Sequence, residues 1–464
     1  MDGMMESETQ GFASLVDRLR AGFLTGKTRD IAWRREQLNN LKRFFDENEK
    51  EIFAALKQDL RKPDMEIYSS EYDFVRKDID HALKHLPSWM RPEKVSTPLS
   101  LLPAKSEIAR EPYGISLIIS AWNYPIQLLL APLVGAIAAG NGAVLKPSEM
   151  APATEKLIAE KIPTYLDNDL FAVITGGVET MTKLLDIRFD HIFYTGSSHV
   201  GKIIMGAAAK FLTPVVLELG GKNVAVVLAD ADLAVTARRI VWGKFNNAGQ
   251  LCVSPDYILV DRAVEEKLHQ ELKQAVSQFF GNEPQQSADY GRIIHHRHFD
   301  RLVGFLDGQK IAVGGEHDRA DKYIAPTILS GSRFSDPVMQ DEIFGPILPV
   351  IGFDDLDGAL GEAARLPTPL ALYCFTKDKA KADHVFEKIP SGSASLNDVV
   401  VFMANRNLPF GGLQTSGMGA YHGQHSFEAF SHKRAKLSRG FGGDVSIRYP
   451  PYGEKTIGLL RKMV

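Results

Sequence analysis

From Ile31 to Leu60 the apolar positions Ile31, Leu38, Leu41, Phe45, Ile52, Phe53 and Leu56 recur at helical spacing, with lysine, arginine and glutamate between them. That period predicts amphipathic helix. The segment "SSEYDFVRKDIDHALKHLPSWM", residues 69–90, predicts another, with Ser69 or Ser70 as its N-cap and its end before Pro92. Beyond it the pattern changes. "ISLIIS", "GAVLKPS", "FAVITGG", "HIFYTGS" and "PVVLELGG" are short apolar runs of strand length, separated by segments of helical length. Such alternation predicts right-handed βαβ crossovers and a parallel sheet. A second series follows in "NVAVVLA", "YILVDR", "ILPVIGF", "LALYCFT" and "ASLND", with helices such as "AVEEKLHQELKQAVSQFF" between them. The expected fold class is α/β, with two parallel sheets in two lobes and a cleft between them.

Residues 114–145, "GISLIISAWNYPIQLLLAPLVGAIAAGNGAVL", carry no charged side chain. A spanning helix needs ~20 apolar residues in a row. This run is broken at Asn123, Tyr124 and Pro125 and again at Gly140, Asn141 and Gly142, which predicts strand, turn, helix, turn, strand, all buried. No membrane partner is expected. Nor is a nucleic-acid partner, because the net charge over 464 residues is only −3. With 44% hydrophobic and 24% charged residues the chain has the composition of a soluble globular protein, and its length implies two domains of ordinary size. Two cysteines cannot form a disulfide framework, which points to a reducing compartment, the cytoplasm. The opening "MDGMMESETQ" lacks the apolar core of a secretory signal, and the closing "EKTIGLLRKMV" is too short and too charged for a tail anchor.

Ligands of open α/β sheets bind at the C-terminal ends of strands. There "AWNYP" presents Asn123, "LKPSE" presents Lys146 and Glu149, "FYTGSSHVG" makes a turn from Gly196 to Gly201, and "LELGGKN" presents Glu218. Each has a plainer alternative. Asn123 suits an oxyanion, as a neutral donor, and equally a turn before proline. The glycine turn departs from GxGxxG and serves a tight strand-to-helix connection as well as a nucleotide. Glu218, between leucines, is either a general base with a raised pKa or a carboxylate paired with a nearby lysine. Cys252 stands in "FNNAGQLCVSPDY" among amides rather than apolar residues. It is either a small buried hydrophobe or a nucleophile whose thiolate those donors favour. Cys374, in the apolar "LALYCFT", reads as core.

Together the motifs resemble the aldehyde dehydrogenase superfamily. Asn123, Glu218 and Cys252 occur in that order, and "EIFGP" (342–346) and "PFGGLQTSGMG" (409–419) extend the likeness, which runs from about Ser14 to Tyr452. "AWNYP", "GQLCVSPDY" and "GMGAYHGQHSFEAFSHKRA" resemble the class 3 group, which includes fatty and aromatic aldehyde dehydrogenases. The resemblance implies that Cys252 attacks an aldehyde carbonyl, that the Asn123 amide and the Cys252 backbone N–H hold the oxyanion, and that Glu218 activates water to hydrolyse the resulting thioester. It implies NAD as cofactor, with NADP also used. Lys146 and Glu149 would contact the adenosine ribose. The turn from Gly196 to Gly201, with Ser197 and Val200, would meet the pyrophosphate. Glu342 would hold the nicotinamide ribose and Phe344 would pack near the ring, with Trp122 and Leu219 completing the contacts. His199 in the turn is less usual and is expected to face solvent. No metal is expected.

The resemblance also implies a layout. Residues 1–217 would form N-terminal helices and a Rossmann-like cofactor domain, with a hairpin near 97–112 for oligomerisation. Residues 218–418 would be catalytic and 419–464 an oligomerisation arm, giving a homodimer. Tyr124 and the aromatic tail suggest an apolar aldehyde, medium to long aliphatic or aromatic. Two other functions stay open here: a relative that passes its thioester to coenzyme A, against which Glu218 argues, and a catalytically silent structural protein, against which the intact trio argues.

Overall fold

The uncharged run folds as the strand Ile115–Ile119, the helix Gln127–Ala139 and the strand Gly142–Lys146, and every residue of the three is buried. This computed structural model describes residues 2–442, 444, 448–453, 457, 458 and 461, with side chains from residue 9 onward. Among the described residues no helix is long and apolar enough to cross a membrane.

Two sheets organise the chain, as the alternating pattern predicts. The first has six strands, in the order Gly417–Met418, Val215–Glu218, His191–Thr195, Ile115–Ile119, Gly142–Lys146, Phe171–Val173. All pair in parallel except Gly417–Met418, which runs antiparallel to Val215–Glu218. The strand order reverses direction beside Ile115–Ile119, so a crevice opens between the segments leaving that strand and His191–Thr195. The second sheet has seven strands, in the order Ile311–Val313, Thr327–Leu329, Ile347–Phe353, Tyr257–Asp261, Val224–Val227, Ala371–Phe375, Ser393–Leu396. Only five residues separate Glu218 from Val224, where the second sheet begins. A third sheet joins Glu93–Val95, Ala104–Pro112 and Ser431–Arg439, the last pairing with all nine residues of Ala104–Pro112. Part of 419–464, including 443, 445–447 and 462–464, lies outside the described residues.

The helical expectations need two corrections. The stretch from Ile31 to Leu60 is two helices, Ile31–Glu47 and Glu49–Leu60. Asn48 breaks it, because its side-chain amide donates to the Phe44 carbonyl (2.9 Å) and competes with the backbone. Ser69 and Ser70 are not caps. Helix already starts at Asp64 and passes through a π-helical turn, Tyr68–Tyr72, into Asp73–Trp89. Inside that run Ser69 donates back to Met65 O (2.7 Å) and Ser70 to Glu66 O. The helix Asp2–Leu24 was not marked by the periodicity read above, and its Val16 and Leu19 are buried against Ile115 and Leu117 of the first sheet.

Candidate active site

Both sheets contribute to one cavity of about 250 Å³. Trp122, Asn123, Gly196, Ser197, Glu218, Leu219, Cys252, Glu342 and Phe344 line it, brought together from the residues singled out in the sequence. Lys146, Glu149, Val200 and Gly201 do not line it. Lys146 ends the strand Gly142–Lys146 and Glu149 lies three residues beyond it; they pair at 3.6 Å, and Lys146 also donates to Pro147 O. Ser197 caps the helix Ser198–Ala209 through Val200 N, and His199 is exposed as expected. Gly201 lets that helix approach closely, since a Cβ there would come 2.8 Å from Leu219 Cδ2.

The loop carrying Cys252 joins the helix Leu233–Phe245 to the strand Tyr257–Asp261. Asn247, Ala248 and Gly249 all have positive φ (49°, 51° and 76°), a run that turns the chain sharply towards the cavity. At Gly249 a Cβ would collide with the Gly345 carbonyl, so this loop packs directly on the "EIFGP" loop. The amides serve the backbone, not the sulfur. Asn123 Nδ2 donates to Gln250 O (3.1 Å), and Asn247 Nδ2 donates to Asn123 O (3.0 Å) and Gln250 O (3.1 Å). Gln250 Nε2 donates to Asn247 O and Arg292 O, while Asn246 accepts from Tyr124 OH.

The expectation that these side chains favour the thiolate is therefore corrected. Burial pushes the Cys252 thiol up, and the charges of Glu342 and Glu218 push it further, while the N–H groups of Cys252 and Val253 pull it back. Cys252 is nevertheless only partly buried and lines the cavity. Asn223, which the sequence reading passed over, fixes the loop from the other side. Its Nδ2 donates to Cys252 O (2.7 Å) and Ser254 O (3.0 Å), and its Oδ1 accepts from Ala371 N.

Glu218 ends its strand and is buried, with no hydrogen-bond partner on either carboxylate oxygen. Pairing with a lysine is thereby excluded among the described residues. Burial pushes its pKa well above the ordinary carboxylate range. The "EIFGP" loop is held instead by buried charge. Lys222 pairs with Asp256 at 2.5 Å and donates to Val338 O and Asp341 O, while Asp256 accepts from Ile343 N (3.1 Å). Arg301 donates to Glu342 O and Ile343 O. Burial holds His298 neutral, down to about 3, so its Nε2–H donates to Phe344 O (2.7 Å) and its Nδ1 accepts from Arg301. Phe344 itself has φ 53°, and its ring meets Trp122 edge-on with centroids 5.3 Å apart.

The family model described as "Aldehyde dehydrogenase family" matches residues 4–435. The chain belongs to the aldehyde dehydrogenase family. It is 47% identical to aldehyde dehydrogenase family 3 member H1 of Arabidopsis thaliana, over 97% of this chain and 94% of that protein. It is 46% identical to the dog protein named "Aldehyde dehydrogenase, dimeric NADP-preferring", over 95% and 97%. Among solved structures, the substrate-bound state of Staphylococcus aureus AldH superposes with a TM-score of 0.95 at 40% identity, covering 97% of this chain and 99% of that one.

The chain is thus an NAD(P)-dependent aldehyde dehydrogenase, an oxidoreductase and not a silent structural protein. Its cavity fits that cofactor class. The N-terminal amides of the helix Ser198–Ala209 lie at the crevice where the first sheet changes direction, the place suited to a pyrophosphate. Thr195, at the end of the neighbouring strand, lines the cavity with a buried hydroxyl that has no partner. For this aldehyde dehydrogenase, the sequence reading missed the residues that hold the site in place: Lys222, Asn223, Asp256, His298 and Arg301.

Proposed function

We propose that this enzyme oxidises an apolar aldehyde, medium to long aliphatic or aromatic, to its carboxylic acid through a thioester on Cys252 that water hydrolyses with Glu218 as base. The observation that supports it most is the pair of partnerless carboxylate oxygens of buried Glu218, in the same cavity as Cys252. Burial raises both groups, and raising the carboxylate makes it a stronger base towards the thiol proton than a solvated one. The sulfur then bonds to the aldehyde carbon. The Asn123 amide and the Cys252 N–H stabilise the oxygen that becomes negative. NAD(P), when bound, supplies the nicotinamide that accepts hydride from that carbon. Glu218, once it has passed the thiol proton on to solvent, removes a proton from water as its oxygen attacks the thioester carbon. The C–S bond breaks and the acid leaves. Coenzyme A as the acceptor would make a carboxylate at this position unnecessary.

Gly196, Ser197, Val200, Gly201 and Leu219 are proposed to cradle the pyrophosphate, Lys146 and Glu149 the adenosine ribose, and Trp122, Glu342 and Phe344 the nicotinamide end. We read residues 1–217 as the cofactor unit, 218–418 as the catalytic unit and 419–464 as an oligomerisation arm, although the boundary after 217 falls inside the strand Val215–Glu218. A homodimer is proposed, supported by the dog relative named dimeric. Light scattering that shows a stable monomer at micromolar concentration would overturn it. Two free cysteines support action in the cytoplasm.

The cavity wall favours apolar substrates: Leu128, Leu251, Leu370, Met403 and Phe410 line it beside Tyr124 and Tyr421. The test is NADH formation from aldehydes of graded chain length, with and without coenzyme A. Rising kcat/KM with chain length and release of free acid support the reading. Turnover that requires coenzyme A, or a preference for short polar aldehydes, would overturn it.

A further inference from the structure

Lys62 and Glu71 form an ion pair whose side chains are both fully buried. Taking two charges out of water is costly, and such a pair is weak evidence for stability in itself. What it holds is informative. Lys62 Nζ donates to the Asn123 carbonyl at 2.7 Å and lies 3.6 Å from the centroid of the Tyr124 ring. Glu71 Oε2 accepts from Ile126 N (3.1 Å) and Gln127 N (2.9 Å), the first amides of the helix Gln127–Ala139. The short stretch from Asn123 to Gln127 is therefore pinned at both ends by opposite charges. Glu71 belongs to the π-helical turn Tyr68–Tyr72, a form of helix often found at functional sites.

The same segment reaches the other half of the site. Glu66 accepts from Asn247 N at 2.9 Å, and the Asn247 amide in turn donates to the Asn123 carbonyl. A side-chain amide has two N–H groups in one fixed plane. With the Asn123 carbonyl held and one N–H bound to Gln250 O, the direction of the second is set, and Asn123 lines the cavity.

We infer that Lys62 and Glu71 are positioning residues that aim the Asn123 amide at the oxyanion, with Glu66 holding the facing loop in register. The inference rests on the oxyanion role proposed for Asn123. It is tested with the full chain and two reagents for Cys252. The acyl ester 4-nitrophenyl acetate forms an S–C bond and loses 4-nitrophenolate through a tetrahedral oxyanion. Iodoacetamide forms an S–C bond and loses iodide with no oxyanion.

Lys62→Met with Glu71→Gln removes both charges and leaves neither unpaired. This double variant is expected to lose ~10- to 100-fold in the acylation rate constant, part of what a missing oxyanion donor costs, and less than about 2-fold in alkylation. Lys62→Gln with Glu71→Gln keeps a donor near the Asn123 carbonyl and is expected to recover most of the acylation. If the methionine variant fails to fold, Lys62→Leu with Glu71→Gln, which likewise removes the donor and both charges, takes its place. Equal losses in the two reactions would show general misfolding of the site and overturn the inference, as would no loss in either. Asn123→Ala separates the two claims. If it loses acylation while the pair variants do not, only the positioning inference falls. If it keeps full acylation, the oxyanion reading of Asn123 falls and the inference with it.

Discussion

Cys374 lies mid-strand in Ala371–Phe375, fully buried, with both neighbouring strands paired to it. Cys252 lies in a loop whose left-handed residues 247–249 bend the chain, and it is only partly buried and lines the cavity. Burial raises both thiols, Cys374 to about 12, and at Cys252 the charges of Glu342 and Glu218 add to that rise. Acidity at rest therefore does not single out the nucleophile. Access does: Cys252 lines the same cavity as Glu218 and Asn123, and Cys374 does not. In the proposed mechanism Cys252 gains its charge as its proton passes to Glu218.

The comparison breaks first at the sulfur itself. Cys252→Ser is expected to abolish both the burst of NADH and steady turnover, by at least ~1,000-fold, because an alcohol near neutral pH is a far weaker nucleophile. Cys374→Ser should leave kcat within ~2-fold of the unmodified enzyme, since Cys374 itself does not line the cavity. Stopped-flow NADH absorbance distinguishes the two. A burst from the Cys252→Ser protein would remove the assignment.

Glu218→Gln sharpens the contrast at the next level. Losing the base should cost ~100- to 10,000-fold in hydrolysis, while up to one NADH per site is still released if the thiol can reach its thiolate. Intact-protein and peptide mass spectrometry should place the acyl group on Cys252 and not Cys374. Full turnover by this variant would show that another group activates the water.

A third effect is smaller and depends on pH. Burial and the neighbouring Asp256 push Glu342 up to about 8, so its carboxyl is largely neutral at pH 7 and becomes charged above 8. As pH rises through that value the new negative charge opposes ionisation of Cys252. Glu342→Gln removes it. Alkylation of Cys252 by iodoacetamide at pH 9 should then be ~3- to 10-fold faster, corresponding to a shift of up to one pK unit, with little change at pH 6. Cys374 should remain unlabelled throughout. Equal rates at pH 9 would mean that Glu342 does not act on the thiol.

The smallest effect falls on Cys374. Cys374→Val, close in size and apolar, should cost under ~1.5 kcal/mol, whereas Cys374→Ser places a hydroxyl among apolar side chains at ~1–3 kcal/mol. Denaturant unfolding measures both, and kcat should follow neither. A serine variant as stable as the valine one would show that the hydroxyl finds a partner in the strand.

Much of the fold was legible because its signals are local. Every strand expected in the two sheets is present, and "ILPVIGF" is matched end to end by Ile347–Phe353, because a buried parallel strand must be apolar over its whole length. The breaks at Asn123–Pro125 and Gly140–Gly142 separated strand from helix correctly for the same reason. The serine caps failed because a hydroxyl bonds back to the preceding turn as readily as it caps, and residue type does not say which. The helix Asp2–Leu24 was not marked by periodicity because its apolar face, Val16 and Leu19, is short and set in a polar stretch.

By itself the sequence determined the residue types that chemistry needs and their order along the chain: an amide, a carboxylate and a thiol at loops of an α/β fold. The tertiary structure alone decided what those groups experience. Lys62 and Glu71, Lys222 and Asp256, and His298 carry no local sign of burial in the sequence, yet they are buried and, with the exposed Arg301, hold the loops of the site. The amides near Cys252 read like donors to sulfur, yet they bind main-chain carbonyls from distant segments. The reason is physical. Periodicity reports which side of an element avoids water, whereas a hydrogen-bond partner or a desolvated charge depends on what folds against it from elsewhere in the chain.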